Sequence, residues 1–390
     1  FKAGKSNDSG DDNIYIGNEA GYGNAAGDTS SNNLFIGVKT GYSTRGGGTN
    51  VFLGNYAGYS NTTSSQNVFV GNSAGLDNTT GEANVFVGDY AGESNISGNY
   101  NVFLGRQAGD VITAGDANVF IGDFAGYGIS GGSNNIFIGA DAGRSANASS
   151  NNLFLGVQAG ENHQDGNDNI FMGNLAGQGV SATGNASVRN VILGANAGTY
   201  IDDAMDNVII GHKAGEGSVT NSMTGDFNVM IGEQAGNNVT SGQQNVFLGN
   251  ETGFNTSQGD GNIFLGYRCG YANATGSYNT FMGYQAGRSN TTGQYNMFIG
   301  YLAGDGNSTG DYNTFIGVRA GEVNNGNANT FIGRWAGSAN TSGDNNISIG
   351  LSSGGTNETG LSNTFIGTSA GGANINTHSN TYIGSNAELW

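Results

Sequence analysis

A glycine that closes a short apolar run, as in Asn-Thr-Phe-Ile-Gly at 313–317, recurs 22 times along the chain. Of the 21 intervals between copies, seventeen are 17 residues long; the others are 20, 21, 21 and 16. With this glycine as position 0, Asn stands at position −4 in all 22 copies, from Asn13 to Asn380. Position −1 is always Ile, Leu, Val or Met, and position −2 is Phe in 16 copies. Position +3 is Ala in 18 copies, otherwise Thr40, Thr252, Cys269 or Ser353. The consensus reads N-[VT]-F-[IL]-G-x-x-A-G-x-x-N-x-T-G-x-x. A short fixed period of this kind marks stacked units that bury their apolar faces against one another.

The unit is a coil of β-structure. Glycine every few residues opposes a helix, and an apolar run of about four β-branched or aromatic residues bounded by Asn and Gly reads as a short strand between turns. The pattern predicts an all-β, parallel β-solenoid (β-roll) of about 22 coils, mostly 17 residues each, in one domain over residues 1–390. Each coil is expected to hold two short strands and two turns. Stacking at the strand spacing of about 4.8 Å would make a rod roughly 100 Å long. Asn repeated at a turn can form a ladder of stacked amides. The glycines permit backbone angles that side chains forbid, and the chain has no proline, as expected where almost every N–H enters a ladder.

Composition narrows the function classes. The chain is 36% hydrophobic and 10% aromatic, enough for a core. The 73 glycines follow no Gly-X-Y period, which excludes collagen. Twelve Lys and Arg against a net charge of −18 argue against nucleic acid, whose phosphates need basic partners. One cysteine forms no intrachain disulfide; Cys269 stands in the Ala column and reads as a small core residue. No run approaches the ~18 apolar residues that would span a bilayer, so no membrane insertion is expected. No signal-peptide pattern is visible, which leaves the compartment open.

Side chains alternate faces along a strand, so positions −3 and −1 share one face and Phe at −2 takes the other. The unbroken aliphatic column at −1 suggests the coil's own core. Phe52, Phe69, Phe86, Phe103, Phe120, Phe281, Phe298 and Phe315 would then form a stripe on the opposite face. A flattened coil could bury that stripe within one chain. The favoured expectation is burial between parallel copies, an interface ladder to which each Phe contributes roughly 1.5–3 kcal/mol.

The unit N-V-F-I-G-x-x-A resembles the S-V-A-I-G-x-x-A repeat of YadA-like trimeric autotransporter adhesin heads. It is similar as well to N-T-F-I-G-x-x-A-G runs in bacterial surface and phage tail-fibre-like proteins. The resemblance covers essentially all 390 residues. It implies a left-handed parallel β-roll, three chains side by side, acting as an adhesive or spacer at a surface. The coil here is longer than that of the adhesin heads, and Phe replaces their small Ala.

The ends break the pattern. Counting back one period from Gly17 places an anchor just before Phe1, so the array begins mid-coil. Residues 385–390 read as a cap or junction. Open sheet edges invite pairing, so end-to-end polymerisation joins lateral association as an expectation. Between Gly173 and Gly232 two coils are longer and the Phe column becomes Ile192, Ile209 and Met230, which suggests a wider, bent or repacked stretch, or simple drift.

No catalytic constellation emerges, and the chain reads as a non-enzyme. Gly71 to Gly75 and Gly367 to Gly371 match G-x-S-x-G, but a nucleophile elbow needs a strand-to-helix turn and a His partner. Gly126 to Gly131 matches G-x-G-x-x-G without a helix to receive phosphate. His163, His212 and His378 lack metal-ligand spacing. No cofactor is expected, although acidic turn residues could bind Ca²⁺ weakly. Asn-x-[Ser/Thr] recurs at Asn61, Asn78, Asn95, Asn147, Asn238, Asn273, Asn290, Asn307, Asn340 and Asn357. These are either turn closures or a row of N-glycan acceptors. Tyr267, Tyr284 and Tyr301 share one column, and Tyr278, Tyr295 and Tyr312 another. They are cross-strand packing or flat faces for sugar rings. The expected protein is therefore an extracellular rod at a cell surface or in a virion fibre: an adhesin head, filament subunit or tail-fibre shaft. Its partners would be itself and a surface glycan or host receptor. An ice-binding solenoid is the alternative, although Ala114, Gly131 and Gly326 interrupt the Thr array it would need.

Overall fold

The computed structural model describes residues 2–23, 28–180 and 186–388. Among them every strand is three residues long and no helix occurs. The chain divides into two compact units, Phe1–Ala195 and Asn196–Trp390. The first carries eleven strands, β1 (Ile14–Ile16) to β11 (Val191–Leu193); the second carries eleven more, β12 (Val208–Ile210) to β22 (Thr381–Ile383). In each unit a strand pairs in parallel with the strand one coil away. Phe52 lies opposite Phe69, and Phe69 opposite Phe86. In the second unit Phe281 lies opposite Phe298, and Phe298 opposite Phe315. This is the all-β parallel β-solenoid. Ten steps of about 4.8 Å stack the strands of each unit over roughly 50 Å.

The invariant Asn at −4 ties successive coils together. Its Oδ1 accepts the next Asn's main-chain N–H, as from Asn67 to Asn50 at 2.9 Å. Its Nδ2 donates across the coil, as from Asn50 to Ser64 O at 3.0 Å, and down the ladder, as from Asn50 to Asn33 Oδ1 at 3.1 Å. The ladder is buried, so each of these groups needs its partner. At position 0 the coils touch main chain to main chain. Gly71 has φ +146, and a Cβ there would lie 2.2 Å from Gly88 O.

Two corners flank each strand, and both use left-handed backbone, almost always without glycine. Gln107 at position +2 has φ +53, and Tyr278 at position +12 has φ +59. Such angles are uncommon outside glycine. Here the main chain holds them: Gln107 N–H donates to Asp89 O at 2.9 Å and Tyr278 N–H to Asp260 O at 2.8 Å. Among the described residues the far wall carries no second strand, contrary to expectation. It is still bonded between coils, Gly58 N–H to Ala74 O at 2.9 Å and Ser60 N–H to Leu76 O at 2.8 Å. The positive φ of Gly58, +59, interrupts extended geometry there.

The Phe stripe is the interior of the coil and not an interface between copies. Phe52, Phe69, Phe86, Phe103, Phe120, Phe281, Phe298 and Phe315 are all fully buried within the single chain. Their rings stack nearly parallel at 4.6–4.8 Å, which matches the strand spacing. The facing wall explains the fit. A Cβ on Gly58 would meet Phe52 Cε2 at 2.5 Å, so the glycine at +4 is the space the ring fills. The aliphatic positions −3 and −1 face outward instead.

In the irregular stretch Ile192, Ile209 and Met230 keep the interior column and are fully buried. Packing is looser at Ile209: a Cβ on Gly215 would stand 3.2 Å from Ile209 Cδ1. The extra residues of one long coil form a turn closed by an antiparallel bridge between Ser218 and Asn221. Part of the other long coil, 181–185, lies outside the described residues, as do Phe1, Leu389 and Trp390.

Phe281→Ala is expected to lower stability by about 3–5 kcal/mol, the cost of a cavity in a close-packed core. Thr280→Ala, on the outward face, is expected to stay within about 0.5 kcal/mol of the parent. Urea midpoints of the two variants measure the difference.

Candidate functional site: an outward aliphatic face

The outward face of each sheet is apolar. Positions −3 and −1 supply two aliphatic or threonine side chains per coil. Ile136 is 40% exposed and Ile170 38% in the first unit; Ile263 and Met297 are each 41% exposed and Met282 39% in the second. Side chains of this kind repeated from coil to coil make an exposed apolar strip, and such strips mark interaction surfaces. Sequence reasoning placed these residues inside and the phenylalanines at the interface; the structure reverses the two faces.

The predicted tyrosines border this strip. In Tyr278-Asn279-Thr280-Phe281-Met282-Gly283-Tyr284 one ring precedes the strand and one follows it, and Tyr295 and Tyr301 repeat the frame a coil later. Tyr267, Tyr284 and Tyr301 stack at 5.3 Å between centroids. Tyr278, Tyr295 and Tyr312 stack at 5.2 and 5.1 Å. All six are exposed. Within each ladder the middle ring has both faces covered, so the ladders present edges and hydroxyls.

The Asn-x-[Ser/Thr] row is interior. Asn61, Asn78, Asn95, Asn290, Asn307 and Asn340 are all fully buried. Their amides form a second ladder, with Asn95 Nδ2 donating to Asn78 Oδ1 and Asn290 Nδ2 to Asn273 Oδ1, each at 2.7 Å. A glycan on any of these nitrogens has no room in the folded coil, so these side chains close turns and are not glycan acceptors in the folded chain. Asn147 and Asn238 sit one column to either side of this ladder and are exposed. The residue between this Asn and the Ser or Thr that completes the motif turns its hydroxyl back on the stack where it is Thr: Thr79 Oγ1 donates to Ile96 O at 3.0 Å, and Thr291 Oγ1 to Ser308 O at 2.9 Å.

The remaining reactive groups are dispersed. Cys269 is buried, and burial pushes its thiol far above the usual range. Ser73 and Ser369, the centres of the two G-x-S-x-G matches, occupy the left-handed corner with φ +55 and +52. Among the described residues no three His, Cys, Asp or Glu side chains converge to hold a metal ion, and no helix is long and apolar enough to cross a membrane. Two titrating positions stand out. Partial burial, with the carboxylates of Asp110 and Asp77 nearby, raises Glu93 from 4.5 to about 7. Burial lowers His163 from 6.5 to about 4. The His163 ring lies edge-on to Phe154 and Phe171, and its Nε2 is 3.0 Å from Asn169 Nδ2.

No protein-family model matches the sequence, and no curated protein matches it.

The two groups give opposite pH responses. The fold favours protonated Glu93, so its contribution is complete below 4.5 and is lost as pH rises through about 7. Glu93→Gln is therefore expected to raise the melting temperature above pH 7 and leave it unchanged near pH 4.5. The fold favours neutral His163, so stability falls as pH drops from 6.5 through about 4. His163→Asn installs the residue most coils carry there; it is expected to recover about 3 kcal/mol at the acid end of that window. Thermal melts by circular dichroism across this range read both.

Proposed function

We propose that the chain is a non-enzymatic, extracellular fibrous protein that assembles laterally with copies of itself, as an adhesin head, surface filament subunit or tail-fibre shaft. The observation that carries the reading is the outward aliphatic face. Most strands are apolar on both sides, the inner side filled by a buried phenylalanine and the outer side left open among the described residues. Association buries such a face at about 25 cal/mol per Å², and a flat strip repeated at the strand spacing is complementary to a second copy of itself. The tyrosine frame from Tyr267 to Tyr312 supplies the aromatic anchors that dominate interface energies. Three chains are the favoured number, following the resemblance to trimeric adhesin heads. The location at a cell surface or in a virion rests on that resemblance too.

The coil suits a mechanical role. Its main-chain bonds run from coil to coil, so separating two coils breaks many bonds together. The surface columns vary without touching the ladders, which lets one scaffold carry different surface chemistry.

Sedimentation velocity on the purified chain at micromolar concentration is expected to find a homo-oligomer. Met282→Glu combined with Ile299→Lys places opposite charges on two outward side chains that lie side by side. This pair is compatible with the sheet but not with an apolar interface, so the variant is expected to sediment as a monomer with an unchanged β spectrum. A monomeric parent chain would refute the assembly.

A further inference from the structure

In the second unit the surface columns shorten together over three coils. Position +5 holds Tyr271, Arg288, Asp305 and Glu322 in successive coils, and then Ser338, Gly355 and Gly372. Position +2 holds Arg319 and Trp335, and then Ser352 and Ser369. The missing side chains leave a solvent-open cavity of about 560 Å³, walled by Trp335, Glu322 and the three serines. Its size falls within the range of small-molecule sites. Between the first and third coil it runs about 10 Å.

Trp335 differs from the tyrosines in one respect that decides its use. Each tyrosine in a ladder has at least one face covered by the ring of a neighbouring coil. The next residue in the Trp335 column is Ser352, and among the described residues no aromatic ring stacks on Trp335. Its indole contributes to the cavity wall, while the guanidinium of Arg334 lies over the ring at 3.9 Å. Around it stand the hydroxyls of Ser338, Ser352 and Ser369, and no hydrogen bond among the described residues uses them. Thr356 differs, since its Oγ1 donates to Gly372 O at 2.7 Å. The Glu322 carboxylate closes one end, 3.8 Å from Arg319.

We propose that this trench binds a short neutral oligosaccharide, with one pyranose lying against Trp335. A pyranose offers an apolar C–H face and a rim of hydroxyls. The trench offers an aromatic wall, three hydroxyls that both donate and accept, and a carboxylate that accepts from neighbouring sugar hydroxyls. A lipid would leave the serines unpaired at a cost, and a nucleic acid finds too few cations here. The inference goes beyond lateral assembly and is measured separately from it, by ligand binding in place of molecular mass.

The test uses the full chain and its tryptophan fluorescence, titrated with cellotetraose, maltotetraose and the N-acetylglucosamine tetramer, with calorimetry alongside. At least one is expected to bind saturably. Trp335→Ala is expected to weaken that binding by about tenfold or more, the scale of one lost aromatic contact. Gly355→Tyr is expected to do the same by filling the trench; its column already carries Tyr271, so the fold persists and an unchanged melting temperature confirms it. Tyr100→Ser, at an exposed side chain of the first unit, is expected to leave affinity unchanged. Failure of all three sugars to bind the parent chain, or binding that survives either Trp335→Ala or Gly355→Tyr, overturns the proposal.

Discussion

The buried amide at position −4 is the contact on which the rest of the structure depends. Three bonds meet in one side chain: an oxygen that takes the next coil's N–H, a nitrogen that reaches the previous oxygen, and the same nitrogen holding the turn's carbonyl. For Asn50 these are the bonds to Asn67 N, Asn33 Oδ1 and Ser64 O. Asp lacks the donors and would bury a charge. Gln carries a further methylene and would overreach. Serine and threonine lack the second donor. Removing the amide orphans several buried groups at once, each worth about 1–3 kcal/mol, which explains a column with no exceptions.

That ladder sets the coil spacing, and the spacing sets the interior. A coil that touches its neighbour through Gly71 and Gly88 main chain leaves a core one ring wide. A flat ring stacked on its own kind fills such a layer without strain. The glycine at +4 and the alanine at +3 belong to the same solution, because a bulky residue on one wall requires almost nothing on the other. Once phenylalanine owns the inside, the aliphatic neighbours at −3 and −1 are committed to the outside. The apolar outer face follows from the core, and lateral association follows from the outer face.

The period, the strand and the ladder were legible in the sequence because each is a column, and columns survive being read in one dimension. The side on which the core lies was not. Alternation divides a three-residue strand into two faces without saying which is enclosed, and the unbroken aliphatic column at −1 pointed the wrong way. The deciding signal was present farther along the repeat. Ala-Gly at +3 and +4 is a wall without side chains, and such a wall must face a large one. The Asn-x-[Ser/Thr] row held a similar clue. Its Asn column is filled in other coils by Ile112, Ile129, Ala146 and Val239, replacements that suit an interior. The left-handed corners carried no signal, since Tyr278 and Gln107 do not announce positive φ; the main-chain bonds around them impose it.

Surface chemistry in such a fold belongs to pairs of coils. A residue at a given column meets its counterpart one strand spacing away, so its exposure depends on what stands one period later. Tyrosine followed by tyrosine closes its own face, and arginine followed by aspartate, as Arg288 and Asp305 at 2.9 Å, neutralises itself. An open face arises only where a large side chain is succeeded by a small one. Trp335 before Ser352 is such a place, and Glu322 before Ser338 is another, in the column beside it. A single drift toward small residues over three coils therefore creates a concavity and exposes the ring that walls it. The backbone stays unchanged, because the ladders never use those side chains.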